Sequence, residues 1–86
     1  MLFESKKIGR FSLSISFIEK EPKIIMELFS KMIIIEALIR PSGSIEYTAI
    51  CDAFEERTEG CEFPRYYIDF KIDKKIIKYE IRRMDK

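Results

Sequence analysis

Five carboxylates, Asp52, Glu55, Glu56, Glu59 and Glu62, crowd into the middle of the chain. Paired carboxyls can serve as general acid and base, so they are the first candidates for chemistry. Nothing in the segment is expected to bury a carboxylate and so raise its pKa, and a solvated acidic loop is expected. Their spacing lacks the D-x-D-x-D-G pattern and terminal glutamate of a calcium loop. Cys51 and Cys61 have neither C-x-x-C redox spacing nor the further donors a zinc centre takes. In a reducing compartment they read as two thiols, one facing inward on a strand and one in a loop.

The residue inventory closes further routes. Histidine, asparagine and glutamine are absent, and isoleucine occurs sixteen times. Without imidazole there is no neutral-pH proton shuttle, no Ser/His or Cys/His nucleophile pair and no mixed Cys/His metal site. The glycines, Gly9, Gly43 and Gly60, are scattered singly, which excludes a Gly-rich phosphate loop. The expectation is a protein that is not an enzyme and holds no cofactor and no metal. Missing amides with abundant Lys, Glu and Ile also match the thermophile-like drift of heat-adapted proteins.

A second constellation lies near the end of the chain. Arg65, Tyr67, Lys71, Lys78, Arg82 and Arg83 mix cations with an aromatic ring, the components of a nucleic-acid-binding platform. Tyr66, Phe70 and Tyr79 share parity with Ile68 and Ile81 and are expected in the core, leaving Tyr67 outward beside Arg82. One exposed ring is a thin platform, and the net charge of +1 is far from the strongly basic balance of a dedicated nucleic-acid binder. Charge is nevertheless unevenly spread. Residues 1–40 carry seven Lys/Arg against five Asp/Glu (+2), residues 41–64 one against six (−5), and residues 65–86 eight against four (+4). Such a dipolar chain favours oriented docking on a charged surface.

These groups must be positioned by a small number of elements. Eighty-six residues hold one core, so the chain is read as a single domain, 1–86. In FSLSISF, Phe11, Leu13, Ile15 and Phe17 alternate with serines, predicting a half-buried strand over 11–17. Pro22 opens a helix predicted over 22–32, with Ile24, Ile25, Leu28, Phe29 and Met32 on its apolar face. IIIEALIR could continue that helix, but three successive isoleucines suit a central strand buried on both faces, and a strand is favoured over 33–40. PSGS then turns the chain into an alternating strand over 45–51, forming a hairpin. The stretch 52–64 reads as a long loop with room for one helical turn. A second hairpin joins YYIDFKI to IIKYEIR, with Ile72 facing Ile77, Phe70 facing Tyr79 and Ile68 facing Ile81. That register sets Lys71 against Lys78 and Asp69 against Glu80, relieved by a diagonal Lys71–Glu80 contact.

The result is a small two-layer α+β domain, a mostly antiparallel sheet of about five strands in the order β-α-β-β-β-β with one amphipathic helix on one face. One helix of about three turns is too narrow to cover five strands, which leaves part of the sheet open. The expected function is therefore a protein-binding module: an adaptor, subunit or stoichiometric inhibitor that docks another protein or itself as a homodimer. Its expected contacts are Ile34, Leu38 and Ile50 on the open face, rimmed by Glu36, Arg40 and Glu46, with the acidic residues Asp52, Glu55, Glu56, Glu59 and Glu62. Binding of nucleic acid by the basic hairpin is the alternative. The longest apolar run, Met32–Ile35, falls far short of a membrane span of about twenty residues, so no membrane partner is expected. Charge in MLFESKKIGR, where a secretory signal is apolar, predicts a cytoplasmic location.

Overall fold

A computed structural model describes residues 7–56, 62–73 and 76–84. The strand that begins the fold, β1 (Ile8–Ser14), has the predicted seven residues but lies three positions earlier, because it starts at Ile8 and Ser14 ends it by capping a helix. Ser14 keeps an extended backbone, and its hydroxyl accepts a hydrogen bond from the Phe17 N–H at 3.3 Å. Ile15 and Phe17 therefore lie on α1 (Ile15–Lys20) and not on the strand. Helix α1 stops at Glu21, since the residue before a proline is held out of the α region, and Pro22 starts α2 (Pro22–Phe29). Ile24, Ile25 and Leu28 form the buried stripe of α2. The helix ends three residues before the predicted boundary, where the Ser30 hydroxyl donates to the Glu27 carbonyl at 2.6 Å.

The isoleucine-rich segment is a strand, β2 (Met32–Arg40), paired antiparallel with β3 (Ser44–Cys51). Gly43 supplies the turn between them at φ +88°, a conformation that disfavours any side chain, and its N–H donates to the Arg40 carbonyl. The expectation of a central strand is wrong for β2. Sheet order is β2-β3-β1-β4-β5, with β4 at Arg65–Asp73 and β5 at Ile76–Arg83, so β2 is an edge strand. Ile33, Ile35 and Ile39 are 56%, 47% and 77% exposed. The isoleucine run satisfies strand propensity, but the middle of the sheet is taken by β1.

β1 pairs antiparallel with β3 over its whole length and parallel with β4 at two positions, Arg10 with Arg65 and Phe11 with Tyr66. This parallel contact was not foreseen from the sequence. It ends at Phe11, three residues before β1 itself ends. The β4–β5 hairpin has the predicted register throughout, including Lys71 opposite Lys78 and Asp69 opposite Glu80, and Lys71 reaches Glu80 diagonally at 3.8 Å. Its connecting residues Lys74 and Lys75 lie outside the described residues.

Both helices pack on one side of the sheet. The core joins Phe11 and Leu13 of β1, Tyr47, Ala49 and Cys51 of β3 and Tyr66 of β4 to the α2 stripe. Phe29 of α2 meets Tyr47 edge-on at 5.0 Å, and Phe17 of α1 meets Phe70 of β4 at 4.3 Å. Two short helices thus replace the single longer one expected, each placing an aromatic ring on a different strand. Phe54, after β3, closes the end of the core by stacking on Tyr66 at 4.4 Å. Gly9 makes room for this stack: a Cβ there would lie 2.6 Å from the Tyr66 ring. No helix among the described residues is long and apolar enough to cross a membrane.

Candidate functional site

Side chains directly opposite one another on paired strands point to the same side, so the register defines the uncovered face. On β3 that face carries Glu46, Thr48 and Ile50, the residues alternating with core positions Tyr47, Ala49 and Cys51. Their partners on β1 are Ser12, Arg10 and Ile8, and on β2 they are Leu38, Glu36 and Ile33. β4 and β5 contribute Arg65, Tyr67, Asp69 and Lys71 with Lys78, Glu80 and Arg82. Among the described residues no helix lies over this side.

A β-bulge between Ile34 and Glu36 reverses which parity of β2 faces outward. Ile34 pairs with Ala49 and packs against the core, so its expected place on the open face is corrected. Ile33 takes that place beside Ile50, while Leu38, 43% exposed, lies on the open face as expected. The bulge had no evident signature in the isoleucine run, where any of three similar residues could be the extra one.

Glu46 anchors the middle of this face. Its side chain is 7% exposed, whereas the two arginines on it, Arg40 and Arg65, are 47% and 50% exposed. Arg40 donates to Oε1 at 2.6 Å and Arg65 donates to Oε2. Arg65 belongs to β4 and reaches Glu46 on β3 across β1, where the residue beneath is the small Ser12. The Arg65 hydrogen bond, then that of Arg40, holds the Glu46 carboxyl below its ordinary value of 4.5. Beside it Arg10 donates to the Thr48 hydroxyl at 3.3 Å and lies over the Phe63 ring, 5.2 Å from its centroid. Arg10 and Thr48 went unnoticed in sequence, since a Thr on an alternating strand is unremarkable until its cross-strand neighbour is known.

The acidic segment is not continuous with this triad. Phe54 is buried on the helical side, and the Glu55 N–H donates to the Tyr66 hydroxyl at 2.8 Å. Glu55 also receives Arg83 at 3.0 Å. Glu56 and Glu62 are exposed, and Glu59 and Cys61 lie outside the described residues. The described part of the loop forms turns, with no helix. Among the described residues of the acidic set, Asp52 alone joins the apolar end of the face: with Lys31, Ile33 and Ile50 it lines a groove of about 270 Å³. A second hollow of about 190 Å³ opens between Arg10, Ser12, Arg65 and Tyr67, where β1 and β4 part. Both are smaller than a typical small-molecule pocket of about 300–1,000 Å³.

Of the basic hairpin, Arg65, Tyr67, Lys71, Lys78 and Arg82 share the open face, but Arg83 pairs with Tyr66 and so has the opposite parity. Arg82 donates to Asp69 at 2.5 Å and lies 5.8 Å from the Tyr67 ring centroid. Cys51 is buried on its strand, as expected. Three further pKa shifts accompany that of Glu46. Burial raises Tyr47, the Tyr79 side chain raises Lys31, and Asp69 raises Arg82. Each of the four moves away from neutrality.

Fold and face together define a small two-layer α+β domain with one sheet surface left uncovered by its helices. Comparison with protein-family models, curated proteins and solved structures gives no match.

Proposed function

We propose that this chain is a non-enzymatic protein-binding module, acting as an adaptor, subunit or stoichiometric inhibitor, that docks its partner on the open sheet face. The observation that carries the reading is the composition of that face. Exposed Leu38 stands beside the Arg40–Glu46–Arg65 triad, and exposed Ile33 with the half-buried Ile50 lies beyond the Glu36–Thr48 pair, so apolar side chains flank ordered guanidinium groups. Exposed apolar side chains bordered by arginine suit a protein interface, where arginine is enriched and most other charges are depleted. Asp52 extends the contact at the Ile33 end. The pKa shifts away from neutrality support a role other than general acid–base catalysis, which works best with groups titrating near the operating pH.

The nucleic-acid alternative has less support. Arg65, Lys71 and Arg82 each have a carboxylate partner, and Arg82 lies against the one ring offered for stacking. Affinity capture from the native host with wild type and with Ile33→Glu/Ile50→Glu tests the main reading. The wild type is expected to retain a partner in fixed stoichiometry and the variant to lose it while keeping its circular dichroism. Identical captured proteins would remove the open face from consideration. Titration of a labelled single-stranded oligonucleotide at several salt concentrations is expected to show no binding. Affinity that falls steeply with salt would favour the alternative.

A further inference from the structure

We infer that the outer edge of β2 pairs antiparallel with the same edge of a second copy, about a two-fold axis at Leu38, joining two five-stranded sheets into one. This goes beyond partner docking on the open face, because it uses the hydrogen-bonding edge of the sheet.

The two edges of the sheet are differently made. On its open-face positions β5 alternates Lys78, Glu80 and Arg82, charges of the kind that discourage edge pairing. β2 carries only Glu36 between Met32 and Ile39, with no lysine or proline, and Ile33, Ile35, Leu38 and Ile39 are all exposed. Among the described residues, its only sheet neighbour is β3. A long, apolar, unprotected edge is a template for another strand.

The sequence of the edge selects the partner and the register. A two-fold antiparallel pair keeps like faces together, so its axis passes through a residue facing its own copy. The bulge divides β2 into two regular stretches, Met32–Ile34 and the longer Glu36–Arg40, and the pairing inferred is that of the longer one. An axis at Glu36 opposes two carboxylates, and one at Arg40 opposes two guanidinium groups. An axis at Ala37 sets Glu36 against leucine, and one at Ile39 sets Arg40 against leucine. At Leu38, Glu36 faces Arg40 of the second copy twice, Ala37 faces Ile39 twice, and Leu38 faces itself. That register alone is complementary at every position. Glu36 is exposed, and the half-exposed Arg40 has donors beyond the one on Glu46, so one guanidinium can serve both carboxylates.

Sedimentation equilibrium and oxidative cross-linking of the full chain test the inference. The wild type is expected to reach the mass of a dimer at micromolar concentration. Glu36→Arg and Arg40→Glu, each setting like charges opposite one another twice, are expected to weaken it by roughly tenfold or more. An equimolar mixture of the two variants restores the dimer, since opposite charges face again. Leu38→Cys gives a covalent dimer under mild oxidation that wild type, with the same Cys51 and Cys61, does not. Should Arg40→Glu unfold through its contact with Glu46, Glu36→Arg and Leu38→Cys carry the test. A monomer at all concentrations overturns the inference. So does a dimer indifferent to Glu36→Arg, or one broken by Ile50→Glu on the open face. A monomer that still captures a partner refutes the edge pairing and leaves partner docking standing; a dimer that captures nothing does the reverse.

Discussion

Glu46 takes part in two ion pairs at once, with Arg40 and with Arg65. It sits at 6% exposure on an uncovered sheet face because two arginine side chains roof it, and their outer halves remain in water. Glu46→Gln keeps the shape and removes the charge. Losing one partner of a fully buried pair costs about 3–5 kcal/mol. With both guanidinium groups half in solvent, the expected cost is smaller, about 1–3 kcal/mol. The contribution has a pH signature. Because the folded carboxyl is held below its ordinary 4.5, its stabilisation is complete above that pH and is lost as pH falls through the lowered folded value. The gap between wild type and Glu46→Gln in urea denaturation should be constant from neutral pH down to the ordinary carboxylate range and close below it. A gap independent of acid would show that the carboxylate is not what the arginines hold. In sequence Glu46 was one charged residue of an alternating strand. Its identity as the hub depended on Arg65, nineteen positions away and on a strand two places across the sheet.

At the scale of elements, α2 shows how a short helix is fixed by its surroundings. Eight residues are too few to be stable alone, so its stability comes from Ile24, Ile25 and Leu28 packing on the sheet. Leu28 is fully buried and Met26, two residues earlier, is 71% exposed. Leu28→Ala should cost about 2–5 kcal/mol. Met26→Lys should stay within about 0.5 kcal/mol. Denaturant midpoints of the two variants check the contrast, and comparable losses would mean that the helix packs differently. This stripe was legible because it repeats every three or four residues. The helix boundaries were less so. The serine alternation of β1 ran on in sequence past Ser14, where capping of α1 took precedence over strand pairing.

For the molecule as a whole, the strand order sets the folding problem. β1 occupies the centre, pairing Ile8 with Ile50 and Arg10 with Arg65, so the sheet closes only when distant parts of the chain have met. Topologies dominated by such contacts fold on a timescale of about milliseconds to seconds. Stopped-flow refolding should therefore show a main phase in that range, and microsecond refolding would contradict the pairing of β1 with β4. Among the described residues, the same order leaves β2 and β5 at the edges and one face of the sheet with no helix over it. Both the proposed docking face and the proposed edge pairing rest on it.

The amino-acid sequence by itself determined the element types in most of the chain, the α+β class and the pairing within both hairpins. Alternation and turn residues lie within a few positions of one another, and a short connection limits which residues can face each other. The register of β4 with β5 was legible down to its like-charge pairs for that reason. Tertiary structure alone decided that β2 is outermost, that Ile34 faces the core while Ile33 faces out, and that Arg65 crosses β1 to reach Glu46. Each of these depends on which strands win places beside β1 and β3. That competition is settled by the packing of the whole sheet against its helices, and no local window of residues contains it.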